Sequence, residues 1–239
     1  MTRNLKAIGL ALLLAALATS ALAATGAFAE EEEGAPGTLT AAAYPATLDG
    51  TDVAGQTNAF TLFGEEIVCP DSSYTSGQIA AATTAVTITP TYNNAQCSAG
   101  GGGHKVTVTM NGCDYQLNIG KTTTKFKDNY YVTIDLLCPP GKDVEIHKYF
   151  GMKDEFIQEC KYTIKEQKGL KGAKVTNEID AGGKTTGTFT LETGPENILA
   201  SKSGTCGAED TKVGKIDMNI TFKGTDKDGK ADNIEITDS

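Results

Sequence analysis

The chain has 239 residues, with 21 Lys and Arg against 30 Asp and Glu, a formal net charge of −9, no tryptophan and six cysteines. An acidic surface repels nucleic acid and anionic lipid, and no basic stripe stands out that would follow a phosphate backbone. Nucleic-acid binding is set aside on those grounds, and the length suits one domain behind a leader.

The leader comes first. Arg3 and Lys6 precede the apolar run Ala7 to Leu17, and small residues follow, which is the layout of a secretory signal peptide. The small-x-small rule allows cleavage after Ala23 or after Ala29, and the abrupt polarity change at Glu30 favours the second. Residues 1–29 are therefore expected to be removed. That takes away Arg3 and Lys6 but no acid, leaving 19 basic against 30 acidic residues, net −11. No later stretch is apolar enough to span a bilayer as a helix, so the mature chain is expected outside the membrane, secreted or at the cell surface.

Residues 30–45 carry four glutamates, then Gly34, Pro36, Gly37 and an alanine-rich patch. With few large apolar groups to offset ordering entropy, this stretch reads as a disordered lead-in.

From 46 to 239 the chain alternates strands and turns. Thr, Val, Ile and Tyr dominate, and Gly, Asn and Asp punctuate the run every eight to twelve residues or so. Val86-Thr87-Ile88-Thr89 and Val106-Thr107-Val108-Thr109 put apolar residues on one face and threonines on the other, as half-buried strands do. Asp154 to Gln158 is the one stretch that suggests a helical turn. The expected class is all-β: an antiparallel sandwich or irregular barrel, read as one domain over 46–239, with a tandem of two small domains as the alternative.

All six cysteines lie in the mature part, and an even count in an oxidising compartment reads as three disulfides. Close thiol pairs, which zinc ribbons require, are lacking. One bridge follows from register. Cys113, Tyr115, Leu117 and Ile119 share one strand face, and Val132, Ile134, Leu136 and Cys138 share another. Antiparallel pairing with Cys113 opposite Cys138 sets Tyr115 against Leu136, Leu117 against Ile134 and Ile119 against Val132, with a loop from Gly120 to Tyr131. Adjacency would then pair Cys69 with Cys97 and Cys160 with Cys206, among the fifteen pairings that six cysteines permit.

Catalytic parts are scarce. No Gly-x-Ser-x-Gly elbow occurs, and His104 and His147 read as a loop-edge and a strand histidine. The glycine run Gly100 to Gly103 lacks the Lys-Ser/Thr of a phosphate loop. The metal candidate is the segment Gly224 to Glu235. There Asp226, Asp228, Asp232 and Glu235 fall on positions three, five, nine and twelve of a calcium loop, although Gly224 stands where the first ligand belongs. The competing reading is a β-hairpin turning at Asp228-Gly229 between Ile220-Phe222 and Ile234-Ile236.

Ile88-Thr89-Pro90-Thr91-Tyr92 through Cys97, Met110-Asn111-Gly112-Cys113, Cys138-Pro139 with Gly141, and Cys160 to Gln167 form a succession that resembles a group of secreted actinobacterial proteins with no assigned activity. The resemblance spans about residues 55–210. It implies export and the cysteine framework, and adds no site.

The reading that follows is a secreted, non-catalytic structural or binding protein of the cell surface or extracellular matrix, with an envelope glycan or protein as partner. A calcium-assisted module and a small hydrolase with paired carboxylates are the alternatives.

Overall fold

The computed structural model describes residues 36–100, 104–123, 126–150, 157–192 and 194–238. The expected signal peptide, the acidic run Glu30–Glu33 and most of the expected helical turn at 154–158 lie outside them. Within the described residues every regular element is a strand.

After β1 (Gly37–Ala41), the strands alternate between two closed antiparallel barrels. In chain order they are β2 (Ala46–Asp52), β3 (Asn58–Leu62), β4 (Glu65–Cys69), β5 (Ser73–Ser76), β6 (Ala85–Thr91), β7 (Ser98–Ala99), β8 (His104–Thr109) and β9 (Asp114–Thr123). There follow β10 (Phe126–Leu137), β11 (Val144–Phe150), β12 (Ile157–Ile164), β13 (Gln167–Ile179), β14 (Thr185–Glu192), β15 (Glu196–Gly204), β16 (Glu209–Asp217) and β17 (Asn219–Asp226). Two short strands, β18 (Ala231–Asp232) and β19 (Ile234–Asp238), end the chain.

Barrel A runs β14-β13-β10-β9-β6-β5-β2-β17 and closes by pairing β17 with β14, while β18 extends β17. Barrel B runs β11-β12-β15-β16-β3-β4-β7-β8 and closes by pairing β8 with β11. The chain thus crosses from A to B and back at β2–β3, β4–β5 and so on to β16–β17, and both barrels keep the same cyclic order. The expected class is confirmed as closed barrels. The arrangement is neither a sandwich nor a tandem, because the two barrels share every part of the sequence.

The crossings fall where the backbone cannot continue a ladder. Pro70, Pro90, Pro139, Pro140 and Pro195 lie at or beside them, and proline has no N–H to donate. Two of the three disulfides sit here as well. Cys69 ends β4 and bonds Cys97 just before β7, and Cys113 precedes β9 and bonds Cys138 just after β10. The third, Cys160–Cys206, ties β12 to the β15–β16 turn at the other end of barrel B. All three pairings agree with the expected ones. The β9–β10 register does too: Leu136 faces Tyr115, Ile134 faces Leu117 and Val132 faces Ile119. The loop expected from 120 to 131 is shorter than that, since β9 runs to Thr123 and β10 starts at Phe126.

Side chains alternate as period two demands, apolar inward and polar outward. On β6, Val86 and Ile88 are buried while Thr89 and Thr91 are exposed. This is the reverse of the apolar outer band with which a barrel crosses a bilayer. Eight strands leave just enough room for side chains to fill the interior, and here Phe60, Tyr74, Tyr115, Phe189 and Phe222 do so within one continuous apolar cluster.

Strand β13 departs from period two. Opposite β10 it spends three residues for every two between Gln167 and Ala173, in two successive bulges. Gly169 (φ 67°) and Gly172 (φ 109°) supply the left-handed backbone this needs. Lys168, Lys171 and Lys174 consequently all stay exposed, where a regular strand would turn Lys171 inward.

The lead-in requires a correction. Residues 37–41 form β1, which pairs with β19, and Leu39 is 1% exposed. Gly37 of this ribbon presses so close on barrel A that a Cβ there would come within 2.6 Å of Ile119 and Tyr130. Bridges from Pro36 to Lys121 and from Leu39 to Thr83 seat the ribbon on the end of barrel A away from the crossings. The domain therefore begins about ten residues before the expected boundary at 46.

Candidate binding site

The calcium candidates do not converge. The Asp226 carboxylate accepts the backbone N–H groups of Asp228 and Lys230, both at 2.9 Å, and the bond from Lys230 leads in holding that carboxyl below its ordinary value. Asp228 meets Lys227 at 3.0 Å, Asp232 accepts from the Ala43 N–H at 3.2 Å, and Glu235 accepts from the Thr185 hydroxyl at 2.9 Å. Among the described residues no three His, Cys, Asp or Glu side chains are grouped to hold a metal ion. The segment is a tight turn, with the Gly229 N–H donating to the Asp226 carbonyl at 3.0 Å. The hairpin differs from the expected one, because β17 pairs with β18 for two residues and β19 then leaves to join β1.

The two histidines are separated by the barrel wall. His147 faces outward on β11, where its Nε2 lies 3.3 Å from Glu145, which also takes Lys161 at 2.6 Å. The Lys161 and His147 bonds hold the Glu145 carboxyl low. His104 starts β8 on the inward parity, its ring 5.6 Å from that of Phe150. They form no shared site.

A polar group that no local motif announces lies at the end of barrel B remote from the crossings. Glu65 begins β4 on the same parity as the buried Ile67 and Cys69. Its carboxylate accepts from Lys148 Nζ at 2.6 Å and from the Tyr162 hydroxyl. In the barrel order β12 stands four strands from β4 either way, so Glu65 and Tyr162 meet across the lumen. Lys148 is only 8% exposed, and this carboxylate is the partner that its burial demands. Burial pushes the Glu65 carboxyl up, but the bonds from Lys148 and Tyr162 and the nearby Lys148 and His104 outweigh it and leave it low. Beside them, Lys202 stacks over Phe63 at 5.0 Å and pairs with Glu209 at 3.0 Å. The arrangement is a strut across the barrel mouth, with each carboxylate already engaged.

A second buried network lies at the crossings. Asn58 donates to Asp52 and, at 2.8 Å, to the Tyr74 hydroxyl, and it accepts the Asn219 N–H at 3.0 Å. The Tyr92 and Tyr115 hydroxyls meet at 3.1 Å. Burial pushes the Tyr115 phenol up to about 12, and raises Tyr74 and Tyr92 too, so all three are neutral hydrogen-bonding groups. Desolvation also raises Asp52. These groups join the two barrels rather than facing a ligand.

Neither network shows in a motif, because the members come from strands far apart in sequence. The only local signal is a charged residue at an inward position, as with Lys148 between the apolar Ile146 and the strand end. No known protein family, curated protein or solved structure matches the chain.

Proposed function

We propose that the chain is a secreted, non-catalytic structural or binding protein of the cell surface or extracellular matrix, acting through its outer face. One observation carries this reading. Both barrel interiors are filled by their own side chains, and the charged groups that reach the lumen of barrel B are spent on one another. A catalytic barrel needs room and poised acids or bases at its mouth. Three disulfides suit an oxidising compartment. Fractionation of the producing cells tests the reading. The protein should appear in the envelope or medium fraction with an N-terminus at Glu30. Intact full-length chain in the cytoplasm would overturn it.

A further inference from the structure

We infer that barrel A carries a binding groove for a neutral glycan chain at the β5–β6 connection; the inference deepens the surface-binding reading and rests on it. A solvent-open groove of about 420 Å³ lies along residues 77–83 and 85–87. That volume falls in the range of small-molecule sites. None of its ten lining residues is charged, although 21% of the chain is, so the groove offers nothing to an ionic partner.

The groove is held open in advance. Ile79 and Ala46 exchange both backbone hydrogen bonds, at 2.7 and 3.0 Å, and Leu39 and Thr83 do the same at 2.8 and 3.1 Å. A connection tied down at both points loses little further freedom when a ligand enters.

Polar side chains in the groove and on the strand beside it are unspent. Gln116 and Asn118 face outward on β9 directly opposite Thr87 and Ala85 of the groove. Among the described residues the side chains of Gln78, Thr87, Gln116 and Asn118 make no hydrogen bond. Elsewhere Asn94, Gln167 and Asn177 each use both amide groups internally. An amide donates and accepts at once, which matches sugar hydroxyls that do the same. The methyl groups of Ala80 to Ala82 offer apolar contact to the C–H faces of a ring. Further along the same sheet the uncharged track ends, where Thr75 pairs with Asp49 and the Thr89 hydroxyl donates to Asp114 at 2.7 Å.

The test is calorimetry of the oxidised mature protein with neutral tetrasaccharides of glucose, galactose and mannose, and with tetragalacturonate as the charged control. At least one neutral sugar should bind and the charged one should not. Gln116→Ala with Asn118→Ala should weaken binding about tenfold, the loss of about two modest hydrogen bonds. Thr87→Val keeps a β-branched residue on the strand and should weaken it less. Failure of every neutral sugar to bind, equal binding of the charged one, or binding unchanged in both variants would overturn the inference. Envelope binding indifferent to these variants would remove the groove and leave the surface reading standing. Sugar binding by a protein that ignores envelopes would do the opposite.

Discussion

Asn177 brackets the backbone of Ile236. Its amide donates to the Ile236 carbonyl at 2.7 Å and accepts the Ile236 N–H at 2.9 Å, with Asn177 only 3% exposed. One side chain thereby replaces a neighbouring strand for β19. Asn94 treats Val108 the same way, and Gln167 treats Leu199. A buried backbone group must find a partner, and these amides serve where the ladders break. Asn177→Leu should cost about 2–4 kcal/mol, since it strands one donor and one acceptor. Urea unfolding reads this as a lower midpoint at unchanged slope. An unchanged midpoint would mean that the terminal ribbon contributes little to the fold.

The disulfides span 28, 25 and 46 residues. Loop entropy gives about 3.5–4 kcal/mol for each, roughly 11 in all as an upper bound, against a usual domain stability of about 5–15. Strong reductant should unfold the protein or lower its melting temperature by tens of degrees. Calorimetric scans with and without reductant check this.

Glu65 and Lys148 form a pair of which Lys148 is largely buried and Glu65 less so. Glu65→Gln or Lys148→Met alone should cost about 1–3 kcal/mol, less than a fully buried pair because water screens the rim. Glu65→Leu with Lys148→Met should cost less than the sum of the two.

The same carboxyl sets an acid limb. Its folded value lies below the ordinary 4.5, so its contribution is complete above that value and is lost as pH falls through the folded one. Stability plotted from pH 6 down to about 3 should therefore fall less steeply in Glu65→Gln than in the parent.

Calcium should add nothing. Asp226, Asp228, Asp232 and Glu235 are each engaged elsewhere, so millimolar calcium is expected to leave the melting temperature unchanged. A calcium-dependent rise would restore the loop as a site.

Where local periodicity and a covalent anchor coincide, the fold could be read from the residues. Cys113 and Cys138 pin two strands whose apolar sets match in only one register, and that register is present. The β1 strand escaped because Gly37-Thr-Leu-Thr-Ala offers one large apolar residue, and its burial depends on β19, nearly 200 positions later. The bulges of β13 hid in Lys168-Gly-Leu-Lys-Gly-Ala-Lys174, a period-three pattern that a strand reading treats as irregular. The double barrel was illegible for a different reason. Each crossing looks like an ordinary turn, and only long-range pairing decides that the strands on either side belong to different sheets.

The candidate sites were less legible than the fold. Glu65, Lys148 and Tyr162 are brought together by closure of barrel B, and Gln116 comes to lie beside Thr87 of the groove only through the β6–β9 pairing. The carboxylates of the terminal loop had the spacing of a metal site, but backbone turn bonds claimed Asp226 first.

The most direct measurement is co-sedimentation of the oxidised mature protein with cell envelopes from its own source, with and without calcium. Saturable binding that calcium does not alter is the expected result. A protein that stays in the supernatant under both conditions would contradict the proposal that its outer face engages the cell surface.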